Sequence, residues 1–139
     1  MIFCIKLYGS TFVLTSEGYK MSTVFIVDDE PDISFILSES FKSKGFDVIA
    51  FSDPAKLLSA LDTITCHAIV SDIRMPQMTG IDLLEKVNGR SSSSNPKVFF
   101  ITGFRDYTRE QLIEKGAGGV FYKPYELNSV VGHVERYLN

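Results

Sequence analysis

Five short apolar runs, Val24–Val27, Val48–Phe51, Ala68–Val70, Val98–Ile101 and Val120–Tyr122, set the tightest limit on what this chain can fold into. Each has the length of a strand and is rich in β-branched or aromatic side chains. They are largely continuous rather than alternating, so both faces of each strand need cover, as in a parallel sheet with helices on either side. The segments between them carry a helical period. Ile33, Ile36, Leu37 and Phe41 share one face, and Gly45 stops that helix. Ser52 or Asp53 caps a second helix from Pro54, with Leu57, Leu58 and Leu61 inward. A third spans about Gly80 to Asn88, and a polar fourth about Asp106 to Lys115. Leu127, Val130, Val131, Val134 and Leu138 form the stripe of a fifth. The pattern predicts (βα)5, an open, doubly wound α/β sheet with right-handed crossovers.

Residues 1–21 carry no clear period and read as an N-terminal extension or a misassigned start before Met21, in preference to an ordered strand; residues 22–139 form the domain. With 139 residues, one core is the expectation. Fourteen Lys and Arg against seventeen Asp and Glu give a net charge of −3, which argues against direct nucleic-acid binding. Cys4 and Cys66 are too few for a disulfide framework or a zinc site. No apolar run nears the ~20 residues that span a bilayer, and no secretory signal opens the chain, so no membrane role and a cytoplasmic location are expected. Ser91–Ser94 falls in a plain loop before the fourth strand, and His67 and His133 read as surface or boundary residues.

The chemistry collects where the apolar runs stop. The first ends in Asp28-Asp29-Glu30, the third in Ser71-Asp72, the fourth in Thr102-Gly103 and the fifth in Lys123-Pro124. In a parallel sheet these carboxyl ends share one edge, where sites form in open α/β folds. Two carboxylates ~4 Å apart repel by ~4 kcal/mol at an effective dielectric near 20. Asp28, Asp29 and Asp72 opposed by Lys123 leave a local charge of about −2, which a divalent cation relieves. All-oxygen ligands favour Mg2+ (or Mn2+) over zinc. Such an ion beside a carboxylate, with a hydroxyl and an ammonium at hand, binds phosphoryl oxygens, so the implied chemistry is phosphoryl transfer to a carboxylate.

Four fragments in order, Val27-Asp28-Asp29-Glu30-Pro31, Ser71 through Gly80, Ile101-Thr102-Gly103 and Tyr122-Lys123-Pro124, resemble the receiver domain of bacterial two-component response regulators. The resemblance covers residues 22–139 and implies a flavodoxin-like strand order of 2-1-3-4-5. It makes Asp72 the phosphoryl acceptor. Asp29 and Asp72 would ligate Mg2+ directly, Asp28 through water, and the Arg74 backbone carbonyl would complete the protein ligands. Thr102 would bond the phosphoryl oxygens, Lys123 would pair with them, and Lys123-Pro124 resembles a bond that is cis in the family. The implied donor is a sensor histidine kinase or a histidine phosphotransfer protein. The implied output is a protein effector that reads a face built from the fourth helix, fifth strand and fifth helix. With no output domain after Asn139, a stand-alone receiver is expected; dimerisation on phosphorylation is left open.

This chain departs from the family pattern at Val120, three residues before the lysine, where an aromatic side chain is usual. That departure leaves a second reading, a degenerate receiver that binds proteins without phosphate. Arg74 and Phe104, two residues past the acceptor and the threonine, border the path of the hydrolytic water in the family; a long cation and a bulky ring there point to slow loss of phosphate. A third reading, a Mg2+-dependent phosphatase with an aspartyl nucleophile, lacks its usual second acid, because that position holds Arg74. The expectation is a signalling phosphoacceptor that assists its own phosphoryl transfer and hydrolysis, not a conventional enzyme.

Overall fold

The computed structural model describes residues 3–15 and 18–138. Three strands, β1 (Phe3–Leu7), β2 (Ser10–Thr15) and β3 (Gly18–Met21), pair in order as an antiparallel sheet. There follow β4 (Thr23–Val27), α1 (Pro31–Ser43), β5 (Asp47–Phe51), α2 (Pro54–Ala60), β6 (Ala68–Asp72) and α3 (Gly80–Asn88). The chain ends with β7 (Lys97–Thr102), α4 (Arg109–Glu114), β8 (Gly119–Tyr122) and α5 (Leu127–Leu138). The five later strands form one parallel sheet in the order β5-β4-β6-β7-β8, which is 2-1-3-4-5 counted within that sheet.

Every residue of β4 and β6 is buried, as their continuous apolar runs predict, whereas β5, at the edge of the sheet, is only partly covered, with Asp47 and Ala50 exposed. Alternate side chains supply two cores. Phe25, Val27, Ile69, Phe100 and Val120 face Leu57 of α2, Leu83, Leu84 and Val87 of α3, and Leu112 of α4. Val24, Ile26, Val70, Phe99 and Ile101 face Leu37 and Phe41 of α1 and Val130, Val131 and Val134 of α5. Full burial of such side chains stabilises by about 1.5–3 kcal/mol each, so these two layers hold the sheet edge that carries the polar residues.

Two local expectations shift, and one open choice is resolved. Ile36 does not join the inward face of α1; it and Phe35 are 53% and 66% exposed, while Ser34 and Ser38 are buried. The Ser38 hydroxyl donates to the Ser34 carbonyl at 2.7 Å, which makes two serines tolerable against the sheet. The fourth helix starts at Arg109 rather than Asp106, because Thr108 and Gln111 form a reciprocal capping box. Of the two proposed caps for α2, Asp53 accepts the Ala55 N–H at 2.9 Å.

The segment before β4 also differs from the irregular extension favoured by its lack of period. Its sheet meets the C-terminal end of α1. The Thr11 N–H donates to the Gly45 carbonyl at 2.8 Å and its hydroxyl to the Lys44 carbonyl at 2.6 Å. Gly45 sits at φ +86°, and a Cβ there would collide with the backbone of Gly9, Ser10 and Thr11. Lys6 reaches Glu135 of α5 at 3.0 Å.

His67 lies at the amino edge of the parallel sheet, where its Nδ1 accepts the Thr23 N–H at 2.9 Å. Burial lowers its pKa below 6.5. A depressed folded pKa means the unfolded chain binds the proton first. Stability from this group is therefore full above pH 6.5 and is lost as pH falls from there through the folded value. Urea unfolding across this range is expected to show an acid-side loss in the wild type that His67→Asn lacks. Equal pH slopes in the two proteins would contradict this account.

Candidate functional site

The site forms where β4, β6, β7 and β8 stop. Asp28 follows the last residue of β4 and is 2% exposed; Asp72 closes β6 at 5%; Thr102 closes β7 at 0%. Lys123 follows β8, and the Lys123–Pro124 peptide bond is cis. Asp28, Asp29, Glu30 and Asp72 place one carboxylate oxygen each within 4.8 Å of one another. All the side chains singled out from the sequence thus meet at one edge, with Arg74 two residues past Asp72.

The bonding explains the charge balance. Lys123 Nζ lies 3.2 Å from Asp72 Oδ2 and 3.4 Å from Glu30 Oε1. Burial lowers the Lys123 pKa, but the carboxylates of Asp72, Asp28 and Glu30 outweigh it and hold the ammonium above its ordinary value. Asp28 Oδ1 accepts the Glu30 N–H at 2.8 Å, whereas Asp28 Oδ2 is buried with no partner. Burial pushes the Asp28 carboxyl up to about 6; the Glu30 N–H opposes this and the charge of Asp72 adds to it. An orphaned buried carboxylate oxygen among three further acids suits a hard cation with oxygen ligands, so these residues fit Mg2+.

Glu30 completes the acidic group and, as an ion-pair partner of Lys123, was not singled out from the sequence; its position beside Asp28-Asp29 was the available signal. Two further contacts have no sequence signature. The Arg74 guanidinium lies 3.7 Å from the centroid of the Phe104 ring and ion-pairs with Asp106, joining the loop after β6 to the loop after β7. The Tyr122 hydroxyl donates to the Tyr107 carbonyl at 3.0 Å. Val120 is 3% exposed and lies in the core.

Backbone geometry fixes Asp72. The Arg74 N–H donates to Asp72 Oδ1 at 3.3 Å, and the Gly80 N–H to the Ile73 carbonyl at 2.7 Å, folding the start of α3 back on the end of β6. A Cβ on Gly80 would stand 2.5 Å from the Asp72 carbonyl oxygen and 2.8 Å from the Phe100 ring. Thr79 caps α3 through a reciprocal box with Asp82.

A family model described as "Response regulator receiver domain" matches residues 24–135. The chain belongs to this family. Among curated relatives, this receiver is 29% identical over 118 residues to "Response regulator protein TmoT" of Ectopseudomonas mendocina, covering 84% of this chain and 53% of that protein. It is 33% identical over 110 residues to "C4-dicarboxylate transport transcriptional regulatory protein DctR" of Rhodobacter capsulatus, covering 78% and 56%. Against "DNA-binding transcriptional regulator NtrC" of Escherichia coli it is 30% identical over 117 residues and spans 24% of that protein. The chain thus spans about half or less of the length of these relatives. Among solved structures, "CRYSTAL STRUCTURE OF FIXJ-N" matches with a TM-score of 0.74 at 28% identity, covering 86% of this chain and 94% of that one. The receiver domain of the Francisella response regulator 1452 shares the fold, with a TM-score of 0.74 at 23% identity, covering 84% and 96%. No helix among the described residues is long and apolar enough to cross a membrane.

The Gly80 contact yields a direct expectation for the receiver. Gly80→Ala forces the end of β6 and the Phe100 ring apart, at a cost of about 1–3 kcal/mol in denaturant unfolding. Because the displaced backbone is that of Asp72, phosphoryl uptake should fall together with stability. Wild-type values for both would show that this close approach is dispensable.

Proposed function

We propose that this receiver accepts a phosphoryl group on Asp72 from the histidine phosphate of a sensor kinase or phosphotransfer protein and passes the change to a protein partner. The observation that carries the reading is the unpaired buried oxygen of Asp28 beside an Asp72 already held by Lys123. A carboxylate oxygen of Asp72 attacks phosphorus, the P–N bond of the donor breaks, and its electron pair returns to the imidazole. Asp28, Asp29, Asp72 and the Arg74 backbone carbonyl would hold Mg2+, which supplies charge neutralisation for the incoming phosphoryl oxygens. Lys123 and the Thr102 hydroxyl would bond those oxygens once they arrive. The face formed by α4, β8 and α5 is the proposed output surface, and the proposed location is the cytoplasm.

Arg74 stacked on Phe104 lies between the two loops that flank Asp72. In this reading the stack restricts the approach of water to the acyl phosphate, so hydrolysis is slow. Water attack would break the P–O bond to Asp72, release inorganic phosphate and restore the carboxylate.

Intact mass after incubation with acetyl phosphate and Mg2+ tests the acceptor. One added phosphoryl group is expected in the wild type, with none in Asp72→Ala or without Mg2+. No addition to the wild type under any donor would favour a phosphate-independent binding module, the reading that Val120 leaves standing.

Decay of that mass tests the cover. The wild type should keep its phosphate for minutes or longer, and Arg74→Ala and Phe104→Ala should each shorten its life by about threefold or more. Loss within seconds from the wild type would end the idea.

A further inference from the structure

We infer that Tyr122 is the positioning residue through which the phosphoryl site controls the loop leading to α4. The inference rests on the phosphoacceptor reading above. Thr102 and Tyr122 are register partners on adjacent strands, and the Lys123 N–H donates to the Thr102 carbonyl at 2.8 Å. The chain between Thr102 and the α4 cap Thr108 is held at both ends. At its start, the Thr102 hydroxyl oxygen accepts the Phe104 N–H at 3.1 Å. At its far end, the Tyr122 hydroxyl donates to the Tyr107 carbonyl, and midway the Arg105 guanidinium lies 4.3 Å from the centroid of the Tyr122 ring.

Apart from these ties the segment is held by the Arg74 contacts to Phe104 and Asp106, with little burial to add to them. Residues 103–106 are exposed, and α4 has six residues with only Leu112 buried. Strand alternation puts Tyr122 on the same side of β8 as Val120, against the core that includes Leu112. Phe121 packs on the opposite side with the α1 and α5 residues. Tyr122 is therefore the aromatic of β8 that touches both the loop and the α4 side of the sheet.

The two ties respond to the same event. A phosphoryl oxygen on Asp72 accepts the Thr102 O–H, and rotation of that side chain toward it carries the hydroxyl oxygen away from the Phe104 N–H. The Tyr122–Tyr107 bond then opposes movement of the loop, so it favours the unphosphorylated arrangement. Removing that bond shifts the balance toward the arrangement that accepts phosphate, by the worth of one neutral hydrogen bond.

Tyr122→Phe deletes the hydroxyl and keeps the ring, its packing and the Arg105 stack. With acetyl phosphate and Mg2+, the variant is expected to take up phosphate about two- to tenfold faster than the wild type by intact mass. Amide exchange over residues 103–108 should be faster in the unphosphorylated variant, and its change on phosphorylation should shrink. Wild-type rate and wild-type exchange would overturn the assignment. Faster exchange with an unchanged uptake rate would overturn it too, since a tie that merely holds the loop moves only the exchange. If the wild type takes no phosphate on Asp72, the phosphoacceptor reading itself fails, and the role of Tyr122 falls with it. A wild type that does take phosphate separates the two failures.

Discussion

Buried negative charge, confined by the ends of a parallel sheet, governs this structure. Asp28 and Asp72 are held almost out of water by apolar strands above and helices to either side. The local response is an ammonium: Lys123 reaches across from β8 to Asp72 and Glu30. One ammonium cannot serve every oxygen, and Asp28 Oδ2 is left alone. A fold that retains such a group tolerates a cost in its resting state. The arrangement becomes favourable when further positive charge arrives, a condition that the proposed binding of a divalent cation meets.

Much of this was legible in the sequence because it depends on period and order. Continuous apolar runs specify strands covered on both faces, and polar residues just past four of those runs must meet if the strands are parallel. The positions of Asp28, Asp72, Thr102 and Lys123 follow from that argument alone. Helix limits were legible only where a capping signal was read. Thr108 with Gln111 moves the start of α4 past Asp106, and that shift leaves Asp106 in the loop to pair with Arg74.

What remained hidden involves pairs distant in sequence whose geometry arises after folding. Arg74 and Phe104 stood out only as two residues bordering one path, and nothing local announces that one stacks on the other. The same holds for Tyr122 and Tyr107. Ile36 was misplaced for a different reason. Its helical period puts it beside Leu37, but the face of α1 that meets the sheet is turned so that Ser34 and Ser38 lie inward. Apolar period gives the width of a stripe and not its centre, and small serines can occupy the margin, Ser38 with its hydroxyl bonded to the Ser34 carbonyl.

The small sheet before β4 has a bearing on the order in which the molecule assembles. Its strands pair with near neighbours, so its internal contacts close as soon as the segment exists. Its anchors come later along the chain: the α1 terminus near Gly45 first, and Glu135 of α5 almost last. The sheet can therefore dock on α1 once that helix has formed, well before Lys6 meets Glu135. The segment is thus fastened in two stages: a backbone tie to the end of α1, and a side-chain tie that has no partner until α5 is in place.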